Sequence, residues 1–245
     1  MKTCWIGILG LTLAWGDLHA GDNDLEIRAL LAPKLESTLS SQIAARIEKI
    51  NVTDGEPFQR GKTLVQFDCA VPNAQLQKAA AEHHAAEMQL EANQNLIKHN
   101  AIGHLEVAIA QAEVDKSRAQ MQLMQAKVKM CKVDAPFSGR TVKLLVHPYQ
   151  SIREGTPLVE ILDDQKLKME LIVPSHWLHW LKPGARFQVH IEETGKHYPA
   201  VITMLGARVD PVSQTLAITA EITGKHRELL TGMSGIANLS PPSKP

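Results

Sequence analysis

Apolar positions along this chain fall into three regimes, and each change of period marks a boundary. Residues 44 to 68, and again 138 to 162, carry short alternating runs separated by glycine-bearing turns, the period-two pattern of half-buried strands. One constant shift superposes Arg46 on Arg140, Lys49 on Lys143, Val52 on Val146, Gly61 on Gly155, Leu64 on Leu158 and Val65 on Val159 without a gap. Two copies of one supersecondary unit each need the other to bury an apolar face. The chain is therefore expected to fold these copies into a single β-module, cut in two by the segment between them.

That intervening segment has a helical period. Leu76, His83, Leu90 and Ile97 recur at heptad spacing with Ala79, Ala86 and Asn93 between them, and Pro72 suits a first helical turn. Asn100-Ala101-Ile102-Gly103 then breaks the pattern, with Gly103 expected to supply the backbone freedom of a tight turn. Beyond it Leu105, Ile109, Ala112, Lys116, Ala119, Leu123, Ala126 and Met130 alternate steps of four and three, which predicts the seam of an antiparallel hairpin. Each arm runs about 27 residues, hence roughly 40 Å. A second heptad stripe, Val107, Val114, Met121 and Val128, points away from that seam and predicts a lateral packing surface for a neighbouring subunit or partner.

From residue 165 the alternation returns. Lys168–Val173, Arg186–Ile191, Ala200–Met204 and Leu216–Ile222 read as strands, punctuated at Pro183-Gly184, Thr194-Gly195 and Thr223-Gly224. Ser175 to Leu181 reads as one short helix opened by a serine cap. Together they predict a small antiparallel barrel, whose core Trp177 and Trp180 are placed to cap.

Composition narrows the classes. The 26 basic residues balance 26 acidic ones, so the surplus of positive charge that a nucleic-acid surface needs is missing. Lys2 followed by the apolar stretch Cys4 to Trp15 and then Leu18-His19-Ala20 reads as an export signal over residues 1–20, cleaved before Gly21. That stretch is shorter than the roughly 20 residues a spanning helix takes. Removal of the signal leaves Cys69 and Cys131 in a compartment where disulfides persist. They stand at the two feet of the helical insert, and a hairpin turning near residue 101 brings them level, which predicts a bridge.

Candidate chemistry is sparse. A biotin or lipoyl carrier presents its lysine where the two β-halves join, but here Asp68-Cys69 leads straight into a helix, and Lys168-Met169 falls in the barrel region. His176 with His179, and His83 with His84, have no cysteine or carboxylate cluster at zinc-like spacing, so no metal or cofactor site is assigned. Elbow, phosphate-loop and zincin motifs are missing from the sequence, and no catalytic residue is assigned.

One series of motifs carries further. Asp54-Gly55, Gly61 and Leu64 are followed by the hairpin, then by Val133, Ala135-Pro136-Phe137-Ser138-Gly139-Arg140, Gly155, Pro157-Leu158, Val173-Pro174, Leu181, Pro183-Gly184, Leu230 and Gly232-Met233. In this order and spacing, from about Leu25 to Leu239, the chain resembles the HlyD-type periplasmic adaptor, or membrane fusion protein, family. The resemblance implies a mixed α and β fold: a split biotinyl/lipoyl-like β-sandwich with an inserted antiparallel coiled-coil hairpin, followed by a small antiparallel β-barrel. The expected divisions are signal 1–20, a lead-in with a barrel strand 21–40, first lipoyl-like half 41–69, hairpin 70–131, second half 132–164, barrel 165–240 and tail 241–245.

The same resemblance implies a non-enzymatic efflux-pump adaptor subunit in the periplasm, peripheral to the inner membrane. Such an adaptor links an inner-membrane transporter to an outer-membrane channel in tripartite efflux or secretion, as a homo-oligomeric ring. A cleaved signal without a span favours a resistance-nodulation-division (RND) transporter over an ABC exporter. Leu96, Ala101, Ile102 and Gly103 would form the docking tip. Of the Arg, Leu and Ser often carried around such tips, only Leu96 is matched, Ala92 and Gly103 standing at the other two places. The alternative is a non-transport envelope scaffold built on the same fold.

Overall fold

The computed structural model describes residues 26–224 and 226–239. The export signal and the 241–245 tail lie outside them. The strands before the hairpin are β1 (Ile27–Pro33), β2 (Glu36–Ser40), β3 (Ala45–Ile50), β4 (Pro57–Phe58) and β5 (Thr63–Phe67). Then come α1 (Ala70–Lys98) and α2 (His104–Lys129), followed by β6 (Lys132–Asp134), β7 (Gly139–Leu144), β8 (Ser151–Ile152) and β9 (Pro157–Leu162). The last five are β10 (Leu167–Pro174), β11 (Arg186–Ile191), β12 (Lys196–Asp210), β13 (Thr215–Ile222) and β14 (Ser234–Asn238).

The two β-copies form a sandwich of two four-stranded sheets, ordered β2-β9-β7-β4 and β6-β5-β3-β8. The copies exchange strands: β2 of the first pairs with β9 of the second, and β6 of the second pairs with β5 of the first. Neither half can complete a sheet alone. The pseudo-symmetry reaches individual hydrogen bonds. Gly61 N–H donates to Ala135 O and Ala135 N–H to Lys62 O; in the other half Gly155 N–H donates to Ser41 O and Ser41 N–H to Thr156 O. Ile47, Leu64, Phe67, Leu158 and Ile161 are fully buried between the sheets. At Gly139 an added Cβ would lie 2.0 Å from the Leu162 carbonyl, so this close approach of β7 to β9 admits only glycine. Glu36–Ser40, expected in the lead-in, is thus sandwich strand β2.

The turn at Pro148-Tyr149 keeps the left-handed position of the first copy's turn without its glycine. Tyr149 takes φ 67°, the same left-handed conformation as its counterpart Gly55 at 77°, and both donate their N–H across the sandwich, Tyr149 to Ile47 O and Gly55 to Thr141 O. The ladder imposes the geometry and the tyrosine, 75% exposed, accepts it. An L-residue in this region costs about 1–2 kcal/mol, partly offset in a glycine variant by about 0.5–1 kcal/mol of extra unfolded-chain freedom. Tyr149→Gly is therefore expected to raise stability by up to about 1 kcal/mol in chemical denaturation; a clear loss would show that the ring itself holds the turn.

The barrel closes in the order β1-β10-β13-β12-β11-β14, with β14 returning to β1. Its interior is filled by Leu31, Met169, Leu171, Val189, Ile191, Ile202, Ile218 and Ala220, while Trp177 and Trp180 pack half-buried against that core. The short helix of the sequence reading is a 3-10 turn over Ser175–His179, preceded by Pro174 and without a side-chain cap. β12 runs far beyond the expected Ala200–Met204. Its pairing with β13 is interrupted by register shifts between Ile202 and Met204 and between Leu205 and Val209, which destroy simple alternation in the sequence.

Sandwich and barrel meet through two antiparallel connections. Lys34 N–H donates to Lys166 O at 2.9 Å and Asp163 N–H to Leu35 O at 2.8 Å. The buried Asp163 carboxylate accepts from the N–H groups of Gln165 and Lys166. Arg140 bridges to Asp164 at 3.1 Å and Lys34 to Glu221 at 2.7 Å.

Candidate assembly surfaces

The hairpin leaves the sandwich at one clamped foot. Phe67 N–H donates to Cys131 O, and Cys69 and Cys131 are disulfide-bonded with Cα atoms 6.0 Å apart. Asp68, just before α1, accepts from the Ala70 N–H and pairs with Arg46 at 3.0 Å. The Ala70 N–H first, and then Arg46, hold its carboxyl below the usual range.

Three cross-helix contacts fix the register of the rod: the disulfide, His83 with Ser117, and the Asn93 amide with the Glu106 carbonyl. On α1 the residues turned inward are Ala79, His83 and Ala86, with Leu76, Leu90, Asn93 and Ile97 partly covered, as the heptad predicts. On α2 the structure reverses the two expected faces. Ala110, Val114, Ser117 and Met124 are buried against α1, and Val107, Met121 and Val128 flank them half-buried. Val114 is 2% exposed, whereas Leu105 is 68%, Ile109 61% and Leu123 50% exposed.

The Val107–Val114–Met121–Val128 stripe is therefore the seam, and the Leu105–Ile109–Leu123 stripe is the outer face. The cause lies at the foot. Cys131 continues the valine stripe three residues past Val128, and its bond to Cys69 turns that stripe inward.

The outer face of α2 now carries the unpartnered apolar strip: Leu105, Ile109, Ala112, Ala119, Leu123 and Ala126, interrupted by Lys116. The outer face of α1 matches it in kind but not in size, with Val71, Ala74, Ala81, Ala85, Met88 and Ala92 interrupted by Lys78. Both lysines fold back onto carboxylates of their own helix, Lys78 to Glu82 at 3.7 Å and Lys116 to Glu113 at 3.1 Å. At the tip the left-handed residue is Asn100, φ 53°, while Gly103 is extended and starts α2. The turn glycine expected from sequence is thus an N-cap position, and the asparagine takes the strained conformation, which it tolerates better than most residues. Leu96 and Ala101 are exposed beside it and Ile102 is half-covered.

Elsewhere the chemistry is structural. Lys168 pairs with Glu170 at 2.8 Å on β10 and Met169 is buried in the barrel core. Among the described residues no group of three His, Cys, Asp or Glu side chains could hold a metal ion. Nor is any described helix long and apolar enough to cross a membrane.

A split sandwich that extrudes a clamped two-helix rod and is followed by a closed six-stranded barrel is the architecture of this chain. Known proteins share these parts. Residues 68–138 match the alpha-helical hairpin domain of RND membrane fusion proteins. Nodulation protein NolF of Rhizobium meliloti is 24% identical over 232 residues, covering 89% of this chain and 63% of NolF. The solvent efflux pump periplasmic linker SrpA of Pseudomonas putida is 22% identical over 209 residues, 78% of this chain and 54% of SrpA. A MacA–MexA chimera containing the Pseudomonas aeruginosa MexA hairpin superposes with TM-score 0.75 at 18% identity, over 88% of this chain and 82% of that one. The chain is thus similar to membrane fusion proteins, or periplasmic adaptors, in the sequence of its hairpin and in the fold of the domains around it. It spans 63% of NolF and 54% of SrpA, less than two thirds of either.

Proposed function

We propose that this chain is a periplasmic adaptor subunit linking an inner-membrane transporter to an outer-membrane channel, with no catalysis of its own. The observation that carries it is mechanical: a rod of roughly 40 Å, bonded at its foot to a sandwich that is itself tied to a barrel. Such a body transmits position between two partners. The RND class of transporter is favoured over ABC by the hairpin domain that matches. The working location is the periplasm, peripheral to the inner membrane, with Leu96, Ala101, Ile102 and Gly103 at the end that meets the outer partner.

Several copies stand side by side in this arrangement. The outer strips of α1 and α2 face opposite ways, one mostly alanine and the other with leucine and isoleucine. At equal height along the rod, Met88 meets the level of Ala112, and Ala92 that of Ile109, so large residues oppose small ones. A contact between two different faces repeats head to tail, and closes into a ring when the rotation allows. The lysines, already paired within their own helices, do not oppose burial of the strips.

Affinity capture of the tagged full chain from detergent-solubilised membranes tests the adaptor role. Co-purification of a polytopic transporter is expected. Repeated capture of envelope proteins without any transporter would favour a non-transport scaffold, the reading that the unmatched tip positions Ala92 and Gly103 support.

A further inference from the structure

His190 of β11 and His197 of β12 stand directly opposite one another, in the register that also pairs Gln188 with Pro199 and Ile191 with Lys196. Both side chains lie on the outside of the barrel, because Val189, Ile191, Tyr198 and Ala200 take the alternate, inward positions. The ring centroids are 4.7 Å apart and the planes are inclined at 41°. Rings that hold one another by stacking lie offset-parallel or edge to face, and this pair does neither. Hydrogen bonding does not fix it either, since His190 Nδ1 is buried without a partner. Ile236 of β14, level with His190 on the other side, forms a half-buried wall, while His197 is exposed.

The separation does suit a shared metal ion. A nitrogen–metal bond of about 2.0–2.1 Å puts the centroid of an imidazole ring about 3.2 Å from the metal. Two such rings have centroids about 4.5 Å apart for a right-angled pair of bonds and about 5.2 Å for a tetrahedral pair. The observed 4.7 Å falls between these values.

We propose that His190 and His197 form a two-imidazole site for a divalent transition-metal ion of the zinc, copper and nickel group, with water in the remaining coordination positions. Imidazole nitrogen suits these ions, whereas magnesium and calcium take oxygen ligands. Local charge does not oppose a cation. Glu192 and Glu193 follow His190 in the connecting turn, and Lys196, the chain neighbour of His197, lies 3.7 Å from Glu228. Among the described residues no third side chain completes the set. Structural zinc takes four protein ligands, so this site is open and exchangeable. The spacing of the two histidines is longer than the short His-to-His spacings of zinc motifs, and the hairpin register is what brings them together. The proposal goes beyond the adaptor reading, because one chain binds the ion whether or not its partners are present.

Calorimetric titration of the untagged full chain with zinc chloride at pH 7.5, above the ordinary imidazole range, tests it. One ion per chain is expected, with copper(II) bound more tightly than zinc and magnesium giving no heat. The thermal midpoint should rise with zinc concentration. His197→Gln, at an exposed position, is expected to keep the fold and weaken zinc binding by at least about tenfold, since loss of even a partner behind a ligand has that effect. His190→Gln should do the same, and His176→Gln should leave binding unchanged. In NMR of the native protein the ring signals of His190 and His197 are expected to shift together as zinc is added. Absence of zinc binding in the native protein overturns the site, and so does native affinity in His197→Gln. Ring shifts confined to His176 and His179 would overturn it as well.

Discussion

Replacing Cys69 and Cys131 together by serine is expected to lower the stability of the oxidised protein by about 4 kcal/mol. The bond closes a loop with a sequence separation of 62, and in the chain-entropy model most of its effect comes from restricting the unfolded ensemble. The hairpin depends on it more than its length suggests. Its seam contains Ala79, Ala86, Ala110 and Ser117, which remove little apolar surface from water. A two-helix rod also has no second layer on which to bury its outer faces, and helices of this kind draw most of their stability from packing. Denaturant unfolding followed by helical circular dichroism should show the midpoint of the double-serine variant well below that of the native protein. Reductant should move the native protein to the same place. Coincident midpoints for the oxidised native protein and the variant would mean that the β5–β6 ladder alone fixes the foot.

That clamp also explains what the sequence could and could not reveal. The repeat announced the sandwich because strand exchange forces both copies to keep the same turn positions: Gly61 and Gly155 have φ 84° and 79°. β2 escaped notice because its residues, Glu36-Ser37-Thr38-Leu39-Ser40, are mostly polar and only partly covered. The shift that superposes Gly61 on Gly155 also carries Ser41 onto Ala135, and those two residues make equivalent backbone bonds. β4 and β8 are two residues each, too short for any periodic signal.

The phase of α2 was the harder case. Both stripes on that helix have heptad spacing, and the larger leucines and isoleucine favour the wrong one if apolarity alone decides. Size points the other way here. At mid-rod α1 offers Ala79, His83 and Ala86 on its inner face, and close approach to them leaves room for valine and methionine in the valine stripe. Cys131 was the available signal, since it lies in phase with Val107, Val114, Met121 and Val128 and must face Cys69. Hydrophobicity located the helix, and covalent geometry orients it.

A pair of aspartate substitutions on α2 therefore separates the two faces with a large difference in effect. Val114→Asp puts a carboxylate into a site that is 2% exposed, beside Ala86 and Ser117 in the register fixed by the His83–Ser117 contact. Lys116 and Arg118, the cations next to it on α2, are engaged with Glu113 and Asp115. Burial of an unpaired charge, together with the lost valine packing, is expected to cost at least about 3 kcal/mol and to open the rod. Ile109→Asp lies at a surface 61% exposed, where the expected change in stability is within about 0.5 kcal/mol. It places a charge in the strip proposed to meet a neighbouring copy, so its effect should be read in sedimentation: monomer melting as before, oligomer weakened. Thermal unfolding that finds Val114→Asp harmless and Ile109→Asp destabilising would return the seam to the leucine stripe. Oligomers unaffected by Ile109→Asp would move the contact between copies away from the hairpin while leaving the seam where the disulfide puts it.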